Sequence, residues 1–213
     1  MGRRALRPID TNLDLSGWLL DPDTLPRPTT STAVFGSPKP LEIEVGSGKG
    51  LFLQTAAAAQ PDRAFLGIEV VRKYARFTAA GLAERGLTNA KIVAGDAMRL
   101  FAEFLPDASV SAVHVYFPDP WWKQRHRKRR IMRESFVADV ERVLEPSGSF
   151  HFWTDVEEYF HTAMKVTTTY TRLDGPLPVP EQPAEHDLDY RTHFERRMRQ
   201  HHNRVFRSEF RKR

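Results

Sequence analysis

The sequence predicts an α/β fold in which a largely parallel sheet carries helices on both faces. Short apolar segments typical of buried strands alternate along the chain with longer segments at helical spacing. A glycine-rich turn, Gly46-Ser-Gly-Lys-Gly50, lies between the first clear strand and an alanine-rich helix. An acidic residue stands at the end of every predicted strand of the main domain. In open α/β sheets this edge is where ligands bind, so we expect the functional site there.

Length and composition favour one main domain with appendages. The chain has 213 residues, 40% of them hydrophobic, which is enough for one substantial core. We divide it into an N-terminal arm, residues 1–40, and a main domain, residues 41–213, which ends in a basic tail. The arm is proline-rich, and its apolar stretch at 13–20 is a candidate anchor. It is predicted to cover the pocket, to contact substrate or to be disordered.

The charge and the absence of cysteine exclude several classes of function. A net charge of +5 favours a polyanionic partner. Without cysteine, the chain has no disulfide, thiolate nucleophile or cysteine-bound zinc. No apolar run approaches the ~20 residues of a membrane span, and Met1-Gly-Arg-Arg4 is not followed by an apolar signal-peptide core. We therefore expect a soluble, cytoplasmic protein, with no membrane and no metal site.

The elements follow from apolar pattern and from glycine and proline positions. A helix beginning at Leu51 is closed by Pro61, and Gly86 is a plausible cap for the next one. The segment 175–183 is proline-rich and is predicted to be a connector, and the tail, residues 191–213, holds nine Lys or Arg. Strands are predicted at 41–45, 64–70, 90–96, 110–117 and 149–154, and helices at 51–60, 71–85, 134–144 and 155–166.

The acids at the strand ends favour a cationic ligand. They are Glu44, Glu69, Asp96, Asp119 and Asp155. A Walker phosphate loop does not match, because Lys49 is followed by Gly50 rather than Ser or Thr. A dinucleotide would bring its pyrophosphate against Glu44, and carboxylate repels phosphate. S-adenosylmethionine fits better because it carries a sulfonium and an ammonium and no phosphate. Glu44 would face its methionine part, Glu69 its ribose and Asp96 its adenine.

One stretch indicates chemistry on a nucleic-acid base. Asp119 stands between Pro118 and Pro120, which stiffen the turn that presents it. Seven Lys or Arg follow within residues 123–133, a charge density suited to a phosphate backbone. Trp121 and Trp122 lie between the acid and the cations. Either indole could stack on a base, although Trp121 is expected to pack into the core. A solvated basic loop beside a buried Trp is the alternative.

These motifs together resemble the bacterial tRNA (guanine-N7-)-methyltransferase family. The likeness covers residues 41–196 in order, and its most specific part is the acid and its basic loop. The matching motifs are Glu44-Val-Gly-Ser-Gly-Lys-Gly50, Gly67-Ile-Glu69, Gly95-Asp96-Ala97, Phe117-Pro-Asp-Pro-Trp121 with Lys123, Arg125, His126 and Lys128-Arg-Arg130, Thr154-Asp155 and Thr192-His-Phe-Glu195.

The resemblance implies a fold, an activity and a set of site residues. The fold would be that of class I S-adenosylmethionine-dependent methyltransferases, with a doubly wound, mostly parallel seven-stranded sheet. The activity would be methyl transfer to N7 of guanine 46 in the tRNA variable loop, with Asp119 as the catalytic residue. The cofactor would contact Glu44, Gly46, Gly48, Glu69, Asp96, Ala97 and Asp119. The tRNA and its target nucleotide would contact Lys123, Arg125, His126, Arg127, Lys128, Arg129, Arg130, Asp155, Thr192, His193, Phe194 and Glu195.

Two features depart from the family pattern. Trp122 stands where the family usually has a smaller or polar residue, and the chain continues past Thr192-His-Phe-Glu195 with a basic tail expected to bind phosphates. The histidines show no metal spacing, and His114 lies within a predicted strand. We expect a monomer or homodimer. Two other functions stay open: methylation of an exocyclic base amine, and RNA binding by a methyltransferase fold without turnover.

Overall fold

The computed structural model describes residues 6–213 and contains a single twisted sheet flanked by helices. Its strands in chain order are β1 (Leu19–Leu20), β2 (Leu41–Val45), β3 (Ala64–Ile68), β4 (Ala90–Val93), β5 (Val110–Tyr116), β6 (Leu144–Thr154), β7 (Asp174–Pro178) and β8 (Phe206–Arg211). Its α-helices are α1 (Ser31–Phe35), α2 (Leu51–Ala59), α3 (Arg72–Glu84), α4 (Ala97–Glu103), α5 (Glu134–Val143), α6 (Glu157–Tyr170) and α7 (His193–Gln200). Short 3₁₀ helices span Pro22–Thr24 and Gln124–Arg129.

The strand order creates the expected crevice. Across the sheet the order is β1-β4-β3-β2-β5-β6-β8-β7. Because β3 and β4 lie on one side of β2 and β5 on the other, the order reverses between β2 and β5. The pairs from β1 to β6 are parallel, whereas β8 runs antiparallel to both β6 and β7. The mostly parallel α/β fold is thus confirmed.

Two apolar clusters hold the helices on opposite faces of the sheet. One cluster packs α4, α5 and α6 against the sheet through large side chains such as Phe101, Phe136 and Tyr159. The other packs α2 and α3 through Phe52, Leu82 and their neighbours. Alternate residues of the same strands serve both clusters, for example Leu66 in the first and Phe65 in the second. This is the burial pattern of a central parallel strand covered on both sides.

The strand count differs from the prediction: the described residues form eight strands rather than seven. The additional strand β1 comes from the predicted arm, where Leu19 pairs with Ile92 of β4. Trp18 anchors it, since its indole Nε1 donates to the carbonyl of Leu87 at 2.8 Å. The apolar stretch at 13–20 is therefore structural. Residues 1–5 of the predicted arm, including the Met1-Gly-Arg-Arg4 segment, lie outside the described residues.

The predicted basic tail is not an appendage of the main domain but contains a helix and a strand. It forms α7 and then β8, which lies in the sheet between β6 and β7. In β8 the buried residues Ser208 and Phe210 alternate with more exposed ones, so the strand pattern is present beneath the charges. The predicted connector 175–183 likewise begins as the edge strand β7. The tail is consequently part of the folded domain.

Candidate active site

A cavity of about 1000 Å³ lies at the carboxyl ends of β2, β3 and β5. This is the position where the strand order reverses, as expected for a ligand crevice of an open α/β sheet. The cavity brings together acids from four predicted strand ends. The sequence-predicted residues that line it are Glu44, Gly46, Gly48, Glu69, Asp96, Ala97, Asp119, Arg129, Thr192, His193 and Phe194.

The glycine loop and Glu69 form one hydrogen-bonded unit. Glu69 accepts the backbone N–H of Gly48 through Oε2 at 2.9 Å and that of Val71 through Oε1 at 2.8 Å. Gly50 adopts a φ of 74°, and a Cβ there would lie 2.4 Å from Cγ2 of Thr78. Glycine is therefore required at position 50 on both conformational and steric grounds. This packing brings the loop backbone to the cavity wall.

Glu44 is the most unusual acid of the site. It is only 2% exposed, and within residues 6–213 its Oε2 atom has no hydrogen-bond partner. Burial raises the pKa of the Glu44 carboxyl to about 8, the Ser47 side chain lowers it, and the nearby charge of Glu69 adds to the increase. A buried acceptor without a donor is costly unless a ligand supplies one. Glu44 is thus suited to a cationic ligand group.

Asp96 and Asp119 are exposed to the cavity and lie on rigid turns. Asp96 is the N-cap of α4 and accepts the N–H of Met98 at 2.8 Å. Asp119 stands between two residues with left-handed backbones, Phe117 at φ 50° and Trp121 at φ 45°. Such conformations are rare for bulky residues and are concentrated at functional sites. The turn therefore holds the Asp119 carboxylate at the cavity mouth.

The basic loop divides into exposed and buried cations. Its exposed members are Lys123, Arg125, Arg127, Lys128 and Arg129, of which Arg129 also lines the cavity. His126 is half-buried, and its ring lies edge-on to that of Trp121 at 5.8 Å. Arg130 was predicted to contact RNA, but it is 7% exposed and bonded to Glu158 and to the Pro120 carbonyl. Its guanidinium is thus directed into the protein, where it donates to the Pro120 carbonyl and to the Glu158 carboxylate.

Trp121 was expected to pack into the core, but it does not. It is half-buried and lines the cavity, and the guanidinium of Arg129 lies over its ring at 5.0 Å from the centroid. The left-handed backbone at Trp121 turns its side chain toward the site instead of beneath the loop. Trp122, by contrast, is 67% exposed.

The α7 segment contributes a second wall, but not all of its predicted residues reach the cavity. Thr192 caps the helix by accepting the N–H of Glu195 at 3.0 Å, and His193 and Phe194 line the cavity. The ring of Phe194 contacts Phe117 at 4.9 Å. Glu195, predicted to bind substrate, is 2% exposed and pairs with Arg207 of β8 at 3.2 Å. It stabilises the junction of α7 and β8 and is absent from the cavity wall.

Asp155 and Lys123 are not among the residues that line the cavity. The prediction of five acids converging on one rim is thus correct for four, because the cavity-lining residues do not include Asp155. Asp155 follows β6, one strand beyond the point where the order reverses, and is half-buried. Lys123 is exposed at the start of the basic loop.

Several cavity residues were not predicted. Val70 follows Glu69 directly and is 73% exposed, and Arg7, Arg196 and Arg197 line other parts of the wall. The signal for Val70 was available, because an apolar residue after a strand-end acid lies at the carboxyl edge of the sheet. Nothing in the sequence indicated that Arg7 would reach α3, where it pairs with Glu84.

His114 belongs to a buried polar chain behind the cavity. Its Nε2 lies 2.8 Å from Oε2 of Glu42, and its Nδ1 lies 2.9 Å from the hydroxyl of Tyr116. The His151 ring stacks on it at 4.9 Å. Burial lowers the pKa of His114, and burial together with His114 lowers the pKa of His151 further. These side chains support the sheet, and Tyr116 connects them with the cavity wall.

Residues 6–213 lack two features, a membrane-spanning helix and a cluster of metal-ligating side chains. None of their helices combines the length and apolarity needed to cross a membrane. Within the same range, no three His, Asp or Glu side chains are grouped so that they could hold a metal ion.

Comparison with known proteins agrees with the geometry of the site. A family model described as "Putative methyltransferase" matches residues 38–208. A tRNA (guanine-N(7)-)-methyltransferase from Rhodopirellula baltica is 48% identical, over 100% of this chain and 81% of that protein. One with the same name from Alcanivorax borkumensis is 38% identical, over 78% of this chain and 69% of that protein.

Solved structures show the same fold at low sequence identity. A SAM-dependent O-methyltransferase from Thermotoga maritima aligns with a TM-score of 0.52 and 15% identity, over 82% of this chain and 60% of that one. The aminoglycoside resistance methyltransferase NpmB1 aligns with a TM-score of 0.50 and 18% identity, over 81% of this chain and 87% of that one. These likenesses support the class I methyltransferase architecture.

Proposed function

The chain belongs to the bacterial tRNA (guanine-N7-)-methyltransferase family, and from this premise we propose that it methylates N7 of guanine 46 in the tRNA variable loop. As a member of that family it is an S-adenosylmethionine-dependent enzyme acting on guanine N7 in tRNA. The observation that carries the proposal is the cavity itself, where four acids meet beside a loop of exposed cations.

The residues present fit S-adenosylmethionine, which supplies a methyl group on a positively charged sulfur. The unpartnered Oε2 of Glu44 would accept from the ammonium of the methionine part. The Glu69 carboxylate keeps lone pairs for ribose hydroxyls in addition to its two backbone bonds. Asp96 and Ala97 would border the adenine, with Val70 as an apolar contact for its face. Gly46 and Gly48 let the loop backbone approach the ligand.

Methyl transfer to guanine N7 requires the protein to position the base and to stabilise the charge that develops on it. Guanine N7 has a free in-plane lone pair, so no proton has to be removed for the methyl group to be transferred. Holding N7 in line with the methyl group can contribute about 7–11 kcal/mol to the barrier reduction. Asp119, fixed by its rigid turn, would hold the base by its N1/N2 edge or stabilise the positive charge that develops on the purine. We infer that it acts in one of these ways rather than as a general base.

The tRNA would be held by the loop and by α7. The exposed cations Lys123, Arg125, Arg127 and Lys128 would contact phosphates, with His126 and Arg129 at the cavity side of the loop. Thr192, His193 and Phe194 would border the target nucleotide from the opposite wall. Asp155 and Lys123, which do not line the cavity, stay proposed contacts of the target nucleotide. A monomer or homodimer and a cytoplasmic location stay predictions.

Nucleoside analysis of methylated transcripts tests the proposal. Purified protein is incubated with methyl-labelled S-adenosylmethionine and an unmodified tRNA transcript that has guanine at position 46. A matched transcript with adenine at this position is the control. We expect label in 7-methylguanosine for the first transcript and none for the second. Label in another nucleoside, such as an N-methylated adenosine, would contradict N7 chemistry, and equal labelling of both transcripts would contradict position 46.

A further inference from the structure

Two adjacent indoles have different surroundings. Trp121 lines the cavity, with Arg129 over its ring and His126 against its edge. Trp122 is not among the residues that line the cavity and exposes 67% of its surface. The left-handed backbone at Trp121, φ 45°, separates the directions of the two side chains. A target base seated beside Asp119 would therefore meet Trp121, which lines the same cavity.

The exposure of Trp122 is exceptional within the described chain. Among residues 6–213 it is the most exposed of the large hydrophobic aromatic side chains, ahead of Tyr170 at 46%. An indole offers a large apolar face that gains when it is covered. Residues 6–213 leave 67% of the Trp122 surface uncovered, so this part of the chain does not obtain most of that gain.

The charges around Trp122 identify the kind of partner. Lys123 follows it directly, and the 3₁₀ helix Gln124–Arg129 then presents Arg125, Arg127 and Lys128 to solvent. An aromatic face among cations matches a ligand that has flat apolar surfaces and regularly spaced negative charges. Single-stranded nucleic acid has both, and proteins that bind it combine cationic grooves with stacked aromatic side chains.

We propose that Trp122 forms a second nucleotide subsite, in which its indole stacks on an unpaired base of the tRNA other than the target guanine. This rests on the proposed function, because it assumes that tRNA is the substrate. The cations beside Trp122 contact the phosphates that flank this base, while the target guanine occupies the cavity next to Asp119 and Trp121. Trp122 thus acts on binding and on the placement of the loop, and not on methyl transfer.

Substitutions at Trp122 test the subsite through tRNA affinity. Stacking of one base is worth enough to change an affinity about 5- to 150-fold, so Trp122→Ala is expected to weaken tRNA binding by at least about fivefold. Trp122→Phe keeps an aromatic face and is expected to retain most of the affinity. Turnover at saturating tRNA and the affinity for S-adenosylmethionine are expected to stay as in the wild type. Unchanged tRNA affinity in Trp122→Ala would overturn the proposal.

Salt dependence separates stacking from charge. Trp122→Ala removes no cation, so the slope of log affinity against log salt is expected to match that of the wild type. The matched control Lys128→Gln removes one exposed cation and is expected to lower the slope by about 0.7–0.9 if Lys128 contacts a phosphate. A Trp122→Ala variant with a clearly smaller slope would mean that the substitution disturbs the whole basic loop, which contradicts a local stacking role.

Abasic substitutions locate the stacked base. Transcripts that each lack one unpaired base of the tRNA are bound to the wild type and to Trp122→Ala. We expect one position, other than the target, where base removal weakens wild-type binding but has little further effect on the variant. Additive losses at every position would overturn the inference. So would a dimer that Trp122→Ala dissociates, measured by sedimentation, because Trp122 would then contact a second copy of this chain.

Failure of this inference can be distinguished from failure of the proposed function. If the wild type does not methylate tRNA at all, the proposed function fails and the subsite with it. If the wild type forms 7-methylguanosine and Trp122→Ala binds and turns over tRNA equally well, the function stands and only the subsite is lost.

Discussion

The guanidinium of Arg130 donates two hydrogen bonds to the carboxylate of Glu158, at 3.3 Å and 3.0 Å. The same side chain donates through Nε to the Pro120 carbonyl at 2.7 Å and lies over the Tyr159 ring. Arg130 thereby joins the turn that carries Asp119 to helix α6. The buried cation of the basic loop thus holds the loop in place, while Lys123, Arg125 and Lys128 are exposed to solvent.

Replacement of Arg130 is expected to lower stability. Arg130→Ala leaves the Pro120 carbonyl without this donor and removes both bonds to Glu158, which keeps only Thr162 and Arg127 beside it, and we expect a cost of about 1–3 kcal/mol in the free energy of unfolding. Arg125→Ala, at an exposed position of the same loop, is the matched control and is expected to change it by less than about 0.5 kcal/mol. Urea unfolding followed by circular dichroism measures both. Equal stability of the two variants would contradict the structural role of Arg130.

The central strands and the cavity acids could be predicted because their signals are local. Buried parallel strands are short apolar runs, and the residue after such a run must lie at the edge of the sheet. This reasoning predicts from the sequence alone that Glu44, Glu69, Asp96 and Asp119 meet at one edge, and they line one cavity. It failed for Asp155 because the position of its strand in the sheet order is a long-range property.

The C-terminal region was predicted less well because charge concealed its pattern. Residues 206–211 alternate between buried and more exposed side chains as a strand should, but the last three residues and several before them are basic, which favours a phosphate-binding tail. Likewise, Glu195 and Arg130 cannot be told apart by residue type from exposed charged residues that contact a nucleotide. Their burial depends on Arg207 and Glu158, which come from other elements, and one sequence alone does not reveal such pairs.

Asp119→Asn is expected to reduce turnover far more than cofactor affinity. The amide keeps the size of the side chain but removes the negative charge proposed to stabilise the purine. Loss of one electrostatic contact of this kind typically lowers the rate by about 10²–10³-fold. Single-turnover methylation of tRNA gives the rate, and equilibrium titration with S-adenosylmethionine gives the affinity. A variant with an unchanged single-turnover rate would refute the role of Asp119.

The stacked pair His114 and His151 is expected to make the fold sensitive to mild acid. Both have folded pKa values lowered by burial, so below the unfolded value of about 6.5 the unfolded chain binds more protons than the folded one. Stability is then present above pH 6.5 and is lost as the pH falls from there. Glu42 favours the charged form of His114, whereas Arg63 and Arg191 oppose it. Arg191 and Arg211 also oppose the charged form of His151.

Unfolding free energies measured between pH 5 and pH 7 test this sensitivity. His151→Phe keeps a flat ring against His114 but cannot be protonated, so its stability is expected to fall less steeply toward pH 5 than that of the wild type. His161→Phe, at an exposed histidine of α6, is the matched control and is expected to keep the wild-type slope. The same slope in all three proteins would show that the buried pair does not control the acid response.

Glu44 is expected to link cofactor binding to proton release. With a pKa raised to about 8 by burial, the free protein holds a proton on Glu44 at pH 6–7. The ammonium of S-adenosylmethionine favours the carboxylate, so binding releases this proton and the affinity rises with pH, by up to about tenfold per unit below pH 8. Between pH 6 and pH 7 the ligand amine stays protonated, so the change in affinity reports a group of the protein.

Calorimetry in two buffers with different ionisation enthalpies gives the number of protons released on binding. Glu44→Gln is expected to remove both the proton release and the pH dependence of the affinity. An equally steep dependence in Glu44→Gln would assign the proton to another group.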